Sequence, residues 1–243
     1  MLANPVFKSE HGGTFVTPNT EYVIEAAQYS APFENKYVPL KEYNTKYKGG
    51  VTYWKFDKKK GKILPEKSFT VELPPYMQDI SDAGKGASYG WSFTNTVNTE
   101  RYQGGYGNGN VPGFKNKLPN EAGMSAKDTD YMTIINWQAA EKLFNSGKYK
   151  KINGHAVISM KDMVAANALY LVPEPKSPHG ADVSPDGTHI IVSGKLDTHA
   201  SVYSWEKMKS MIDSKQFATK DSYGLPILDL KKSLVRQVNL GLG

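Results

Sequence analysis

The apolar residues of this chain fall in short runs, many of them alternating with polar side chains, cut apart by Gly, Pro, Asn and Asp. Tyr22-Val23-Ile24-Glu25-Ala26 follows the turn Thr17-Pro18-Asn19, and Val51-Thr52-Tyr53-Trp54-Lys55-Phe56 alternates before a turn from Asp57 to Gly61. Ser68 to Leu73, Gly90 to Phe93, Met132 to Ile135, His189 to Ser193 and Ser201 to Ser204 read the same way. Leu169-Tyr170-Leu171-Val172 is apolar throughout and stops at Pro173, which has no N–H to give to a ladder. A period of two marks a strand, and many short strands at near-regular intervals predict an all-β sandwich, barrel or propeller.

An internal repeat favours the propeller. Ile134-Ile135-Asn136-Trp137 leads into a helical stretch through Leu143-Phe144 and then Asn145-Ser146 and Tyr149. The order recurs as Val202-Tyr203-Ser204-Trp205, Met211-Ile212, Asp213-Ser214 and Phe217. Each copy predicts a strand running into a short amphipathic helix, with Trp137, Ala140 and Phe144, or Trp205, Met208 and Ile212, on one core-facing side. A third copy at Tyr53-Trp54-Lys55-Phe56-Asp57 keeps the strand and puts a turn in place of the helix. Repeated multi-strand units with helical insertions are expected of propeller blades.

A second repeat overlies the first. His11-Gly12-Gly13-Thr14-Phe15-Val16-Thr17-Pro18-Asn19 resembles His179-Gly180-Ala181-Asp182-Val183-Ser184-Pro185-Asp186-Gly187, with one residue inserted in the earlier copy. In both, His-Gly precedes a β segment, a Pro turn and another strand. Two blades would therefore present a histidine at the same level. The chain has no cysteine, which excludes disulfides, thiolate nucleophiles and zinc knuckles, so a metal must be held by histidine, carboxylate, carbonyl or thioether. Of the five histidines, His11 and His179 are the candidate ligands. His155, after Asn153-Gly154, reads as a solvated turn residue, His189 as an outward or inter-sheet strand residue, and His199 as a turn residue beside Asp197.

Glu100, Asp128 and Asp130 flank a loop holding Gly104, Gly105, Gly107, Gly109 and Gly113, with Met124 just before the two aspartates. Oxygen ligands on such a loop suit calcium, while the plain alternative has Asp128 and Asp130 capping a turn before the Tyr131 strand. The glycines do not follow a strand and open a helix, so they do not mark a nucleotide site, and no Gly-x-Ser-x-Gly elbow is present. The charge of +6, from 30 Lys and Arg against 24 Asp and Glu, is dispersed. Its densest run, Lys58-Lys59-Lys60 followed by Lys62, reads as a solvated hairpin tip, so no nucleic-acid partner is expected. No stretch predicts a membrane span. Met1 to Pro5 lacks the pattern of a signal peptide, leaving a cytoplasmic protein or a natural start elsewhere.

Taken together, Ser177-Pro178-His179-Gly180, Ser184-Pro185-Asp186-Gly187, Val192-Ser193-Gly194-Lys195-Leu196 and Leu240-Gly241-Leu242-Gly243 resemble nitrous oxide reductase, a periplasmic multicopper enzyme. His11-Gly12, Asn98-Thr99-Glu100 and Gly147-Lys148-Tyr149 through Ile152-Asn153-Gly154 fit as well. The resemblance implies that residues 1–243 are part of a seven-bladed β-propeller. Blades before it and a C-terminal cupredoxin domain with dinuclear copper would be absent, and the fragment alone would be inactive. It also implies a four-copper sulfide cluster with His11 and His179 among its ligands, and calcium held by Glu100, Met124 and Asp130. Val97 and Ser177 stand where the family has a tyrosine and an asparagine. The implied reaction reduces nitrous oxide to dinitrogen and water in the periplasm during denitrification. Electrons would come through the partner of a homodimer from a small donor protein such as a cytochrome. The alternative is a metal-free propeller that binds a protein partner.

Overall fold

The computed structural model describes residues 4–7, 10–33, 38–39, 42–98 and 129–241, with backbone alone at 10–14. The chain is mostly β and forms three sheets, each begun by a new run of antiparallel strands. In the first, β1 (Glu10–Val16) pairs with β2 (Tyr22–Ala27), which pairs with β4 (Tyr47–Asp57), which pairs with β6 (Phe69–Leu73). The short β3 (Ala31–Pro32) and β5 (Lys62–Ile63) add to β4, and α1 (Tyr43–Lys46) precedes it. The lysine run forms the exposed β4–β5 tip, where Asp57 Oδ1 accepts the Lys59 and Lys60 N–H groups.

The second sheet runs β7 (Met77–Ala83), β8 (Trp91–Val97), β9 (Tyr131–Asn136) and β12 (Leu169–Pro173). Between β9 and β12 lie α2 (Trp137–Asn145), the hairpin β10 (Lys150–Ile152) and β11 (His155–Ile158), and α3 (Met160–Ala165). The third sheet runs β13 (Pro178–Val183), β14 (His189–Gly194), β15 (His199–Ser204) and β18 (Leu234–Asn239). Here α4 (Trp205–Asp213), the hairpin β16 (Thr219–Lys220) and β17 (Pro226–Ile227), and α5 (Leu230–Ser233) fill the same gap. The strand-to-helix repeat at Trp137 and Trp205 is therefore present, and each helix starts on a side-chain cap. Asn136 accepts the Ala139 N–H and Ser204 the Lys207 N–H. The weaker copy in β4 also holds its place, since a hairpin stands there instead of a helix.

Each insertion reaches back to the preceding sheet. β11 adds in parallel to β6, with Val157 opposite Thr70, and β17 adds in parallel to β12, with Ile227 opposite Leu171. The sheets are thus clasped pairwise at their outer edges.

Burial explains the sequence pattern. The middle sheet is covered on both faces: Ile135, Leu169 and Leu171 pack on Ile24, Val51, Phe69 and Val71 of the first sheet. Met132, Ile134, Tyr170 and Val172 pack on Val183, Ile190, Val192 and Tyr203 of the third. Successive side chains point to opposite faces, so a strand whose two faces both meet apolar layers is apolar at every position, as Leu169 to Val172 is. In β14 one face is open, and the alternation returns: Ile190 and Val192 are fully buried while Ile191 is 44% exposed.

Candidate functional site

The first strands of the three sheets lie side by side, with β7 packed between β1 and β13. All three break register near their start. The shift lies between His11 and Phe15 in β1, between Gln78 and Ser81 in β7, and between Pro178 and Ala181 in β13. In β7 and β13 one extra residue is inserted against the partner strand, which makes a bulge and re-aims the side chain there. Asp79 and His179 hold the same place in their bulges, each following the last paired residue. Gly180, next after His179, has φ of 99°, a conformation glycine adopts without strain. On the backbone His11 stands one place earlier, paired with Ala26.

His179 and Asp79 come together, with Nε2 3.6 Å from Oδ2. The imidazole is 46% exposed and the carboxylate largely covered. Below them Asn95, wholly buried, fixes the bulge: its Oδ1 accepts the Gly180 N–H at 2.7 Å and its Nδ2 donates to the Gly180 carbonyl at 3.3 Å. The same Nδ2 donates to both Glu174 oxygens, at 3.1 and 3.2 Å. Burial pushes the Glu174 carboxyl well above the ordinary range, the Asn95 bond opposes this, and the charges of Asp130 and Asp79 add to it. Deeper in the same junction Asp82 Oδ2 accepts the Val183 N–H at 2.9 Å, joining β7 to β13.

Asp130 is fully buried and does more than cap a local turn. Its Oδ1 accepts the Asn98 N–H and its Oδ2 the Ser177 N–H, both at 2.7 Å, so one carboxylate ties the end of β8 to the start of β13. Two oxygens beside it, Asn98 Oδ1 and Ser177 Oγ, are buried and have no hydrogen-bond partner among the described residues. Glu100, Asp128 and Met124 lie outside the described residues. Among the described residues no three His, Asp or Glu side chains are gathered as a ready ion site.

The remaining histidines sit elsewhere. His189 bonds through Nδ1 to Thr188 Oγ1 at 2.8 Å, and His199 to its own turn, at 2.9 Å from Thr198 Oγ1 and 3.3 Å from Asp197 Oδ1. His155 differs from the sequence expectation: it is 6% exposed, not solvated. The Asn153-Gly154 turn is there, but β11 docks on β6, where His155 Nε2 meets Thr70 Oγ1 at 3.0 Å and the ring lies 5.4 Å from that of Trp54.

Burial pushes the His155 imidazole down to about 4, from 6.5. Between those values the unfolded chain binds a proton that the folded chain refuses, so stability rises with pH. The contribution is whole above pH 6.5 and is lost as pH falls towards 4, a loss of about 3 kcal/mol. Urea unfolding from pH 7.5 to 4 should show this slope, and His155→Gln should flatten it; an equal slope in the variant would assign it to other groups.

No family model matches the chain. Nitrous-oxide reductase from Cupriavidus necator is 29% identical over 126 residues, 49% of this chain and 18% of that protein. The enzymes from Pseudomonas fluorescens and Stutzerimonas stutzeri are each 26% identical over 125 residues, half of this chain and 18% of theirs. The matched part thus spans under a fifth of these relatives. Among solved structures, Kuenenia stuttgartiensis hydrazine synthase superposes with a TM-score of 0.50 over 95% of this chain and 50% of its own, at 11% identity, a likeness of fold alone. No helix among the described residues is long and apolar enough to cross a membrane. Over about half its length the chain is distantly similar to nitrous-oxide reductases, and its fold is mostly β, with several antiparallel sheets.

Proposed function

We propose that this chain is part of the seven-bladed propeller of a nitrous-oxide-reductase-like oxidoreductase, its three sheets being successive blades and β1, β7 and β13 the strands nearest the axis. The observation that carries the reading is that the two His-Gly segments lie on β1 and β13, both packed against β7. His11 and His179 would hold copper there. Copper, when bound, would supply the centre that takes up nitrous oxide and passes electrons to it. Two imidazoles are a share of the donors for a four-copper sulfide cluster, so the rest would come from other blades. Asn95 and the bulge would fix the backbone of His179, while Asp79 faces the imidazole.

The distant relation over half the chain supports the oxidoreductase reading. A dinuclear copper domain, a homodimer partner, a cytochrome-like donor and a periplasmic setting belong to the same proposal. At Asp130 the two unpartnered oxygens of Asn98 and Ser177 suit a hard cation such as calcium, with Glu100 and Met124 as further ligands.

The test is metal analysis of protein recovered from copper-supplied cells. The full-length wild-type protein should carry copper, and His11→Ala and His179→Ala should lower it towards background. Equal copper in all three would overturn the reading and favour a metal-free propeller that binds a protein partner.

A further inference from the structure

The first two sheets are closed at their outer edges in the same way. β11 adds in parallel to β6, and β17 adds in parallel to β12. Each added strand comes from a hairpin inserted in the next sheet and runs into a helix through a polar cap, Ser159 or Asp229. The two edges then end on strands of three and two residues, β10 and β16. The third sheet ends on β18, six residues long, with no strand beyond it among the described residues. We infer that the outer edge of β18 is a docking site for one more short apolar strand, added in parallel and delivered by a polypeptide segment built like β10–β11–α3 and β16–β17–α5.

Thr133 in β9 and Ser201 in β15 each stand four residues before the repeated tryptophan. Leu171 lies opposite the first and Gln237 opposite the second, so Gln237 is the counterpart of the residue that faces Ile227 in the existing clasp. The backbone agrees with this match. Asn136 N–H bonds to the Ala168 carbonyl, and alternation from there turns Leu171 away from β9, where its carbonyl accepts the Leu228 N–H at 2.7 Å. Leu240 N–H bonds to the Thr198 carbonyl, and the same alternation turns the N–H and carbonyl of Gln237 and Asn239 away from β15. The Leu234 carbonyl is held by Lys207 Nζ at 2.9 Å, which confines the open stretch to Val235 through Asn239.

The side chains also suit an edge that is to be covered. Ala200, Val202 and Val238 stand where Met132, Ile134 and Val172 stand in the middle sheet, on the face that the third sheet covers there. On the third sheet the same face carries Ile191, 44% exposed, and Val235 at the edge is 48% exposed. An exposed edge of this kind takes up added strands. A second copy of the chain has none to offer. Among the described residues both clasping strands are already paired within the chain, and the first sheet has a hairpin in place of such an insertion.

The probe is a fluorescein-labelled synthetic peptide of residues 217–233, a copy of the β16–β17–α5 unit, titrated into the 243-residue chain and followed by anisotropy. The wild type should bind one equivalent. Gln237→Pro removes the outward N–H and should weaken binding about 10-fold or more, whereas Gln237→Ala keeps that N–H and should bind like the wild type. A peptide N-methylated at the position of Leu228 should lose about as much against the wild type, and it reads the same strand pairing if thermal melting shows that Gln237→Pro does not fold. A wild type that leaves the peptide unbound at about 1 mM overturns the docking site. So does binding that neither Gln237→Pro nor N-methylation weakens, because the peptide then sits elsewhere. An equal loss in Gln237→Ala overturns it too, because the side chain and not the strand edge is then the contact. None of these outcomes bears on copper at His11 and His179, which metal analysis decides.

Discussion

Asp130→Ala should lower the stability of the fold by about 3–5 kcal/mol. The side chain has no exposed surface, and each of its oxygens accepts a backbone N–H at 2.7 Å, from Asn98 and from Ser177. These donors lie 32 and 47 residues away in sequence, so the carboxylate closes two long loops at one point. Alanine would leave both N–H groups buried with no acceptor, and an unmet buried donor costs about 1–3 kcal/mol. Asparagine keeps one acceptor and presents an amine to the other N–H, so Asp130→Asn should fall between the two. Urea unfolding in the presence of a calcium chelator measures the term without any contribution from an ion. A value within about 1 kcal/mol of wild type for the alanine variant would show that water reaches these groups and that Asp130 is not the tie between β8 and β13.

The role of Asp130 marks the boundary of what the sequence discloses. Strands in which one or both faces meet an apolar layer announce themselves, as β2, β9, β12 and β14 do. The first strand of the middle sheet does not. Met77-Gln78-Asp79-Ile80-Ser81-Asp82-Ala83 is polar, yet six of its seven residues are buried. It is covered by two other first strands rather than by the apolar layers, and its polar groups are met by backbone and side-chain partners such as Val183 N–H for Asp82 and Thr94 Oγ1 for Ser81. Periodicity registers apolar burial and is silent about polar burial. Asp79, Asn95 and Glu174 were missed for that reason. His11 and His179 stood out because the His-Gly repeat is a local pattern.

The misreading of His155 has the same origin in distance along the chain. Asn153 and Gly154 both have positive φ, at 48° and 83°, so the tight hairpin turn was legible. What buries the histidine is Thr70, 85 residues away, and the parallel docking of β11 on a strand of another sheet. Nothing within the hairpin specifies that partner. The Trp repeat disclosed that helices follow β9 and β15. It did not disclose that the segments after them return to clasp the preceding sheet.

Trp205→Ala should cost about 3–5 kcal/mol, comparable to Asp130→Ala but by packing rather than by hydrogen bonding. Trp205 is 4% exposed, and its ring lies 5.1 Å from that of Trp91 and 5.5 Å from that of Phe93, so it fills the seam between the second and third sheets. Its Nε1 also donates to the Ala87 carbonyl at 3.0 Å, in the turn between β7 and β8. Trp137 holds the matching place one repeat earlier, against Tyr22 and Tyr89, but its Nε1 has no partner among the described residues. Phenylalanine preserves most of the apolar contact and removes the N–H in both. At Trp205 it removes the bond to the Ala87 carbonyl, whereas at Trp137 it relieves an unmet donor. Trp205→Phe should therefore be more damaging than Trp137→Phe by about 1–2 kcal/mol, read by urea unfolding of the two variants side by side. Equal losses would mean that the two tryptophans act only as apolar fill and that the bond to Ala87 adds nothing; a larger loss at Trp137 would mean that its N–H is satisfied after all.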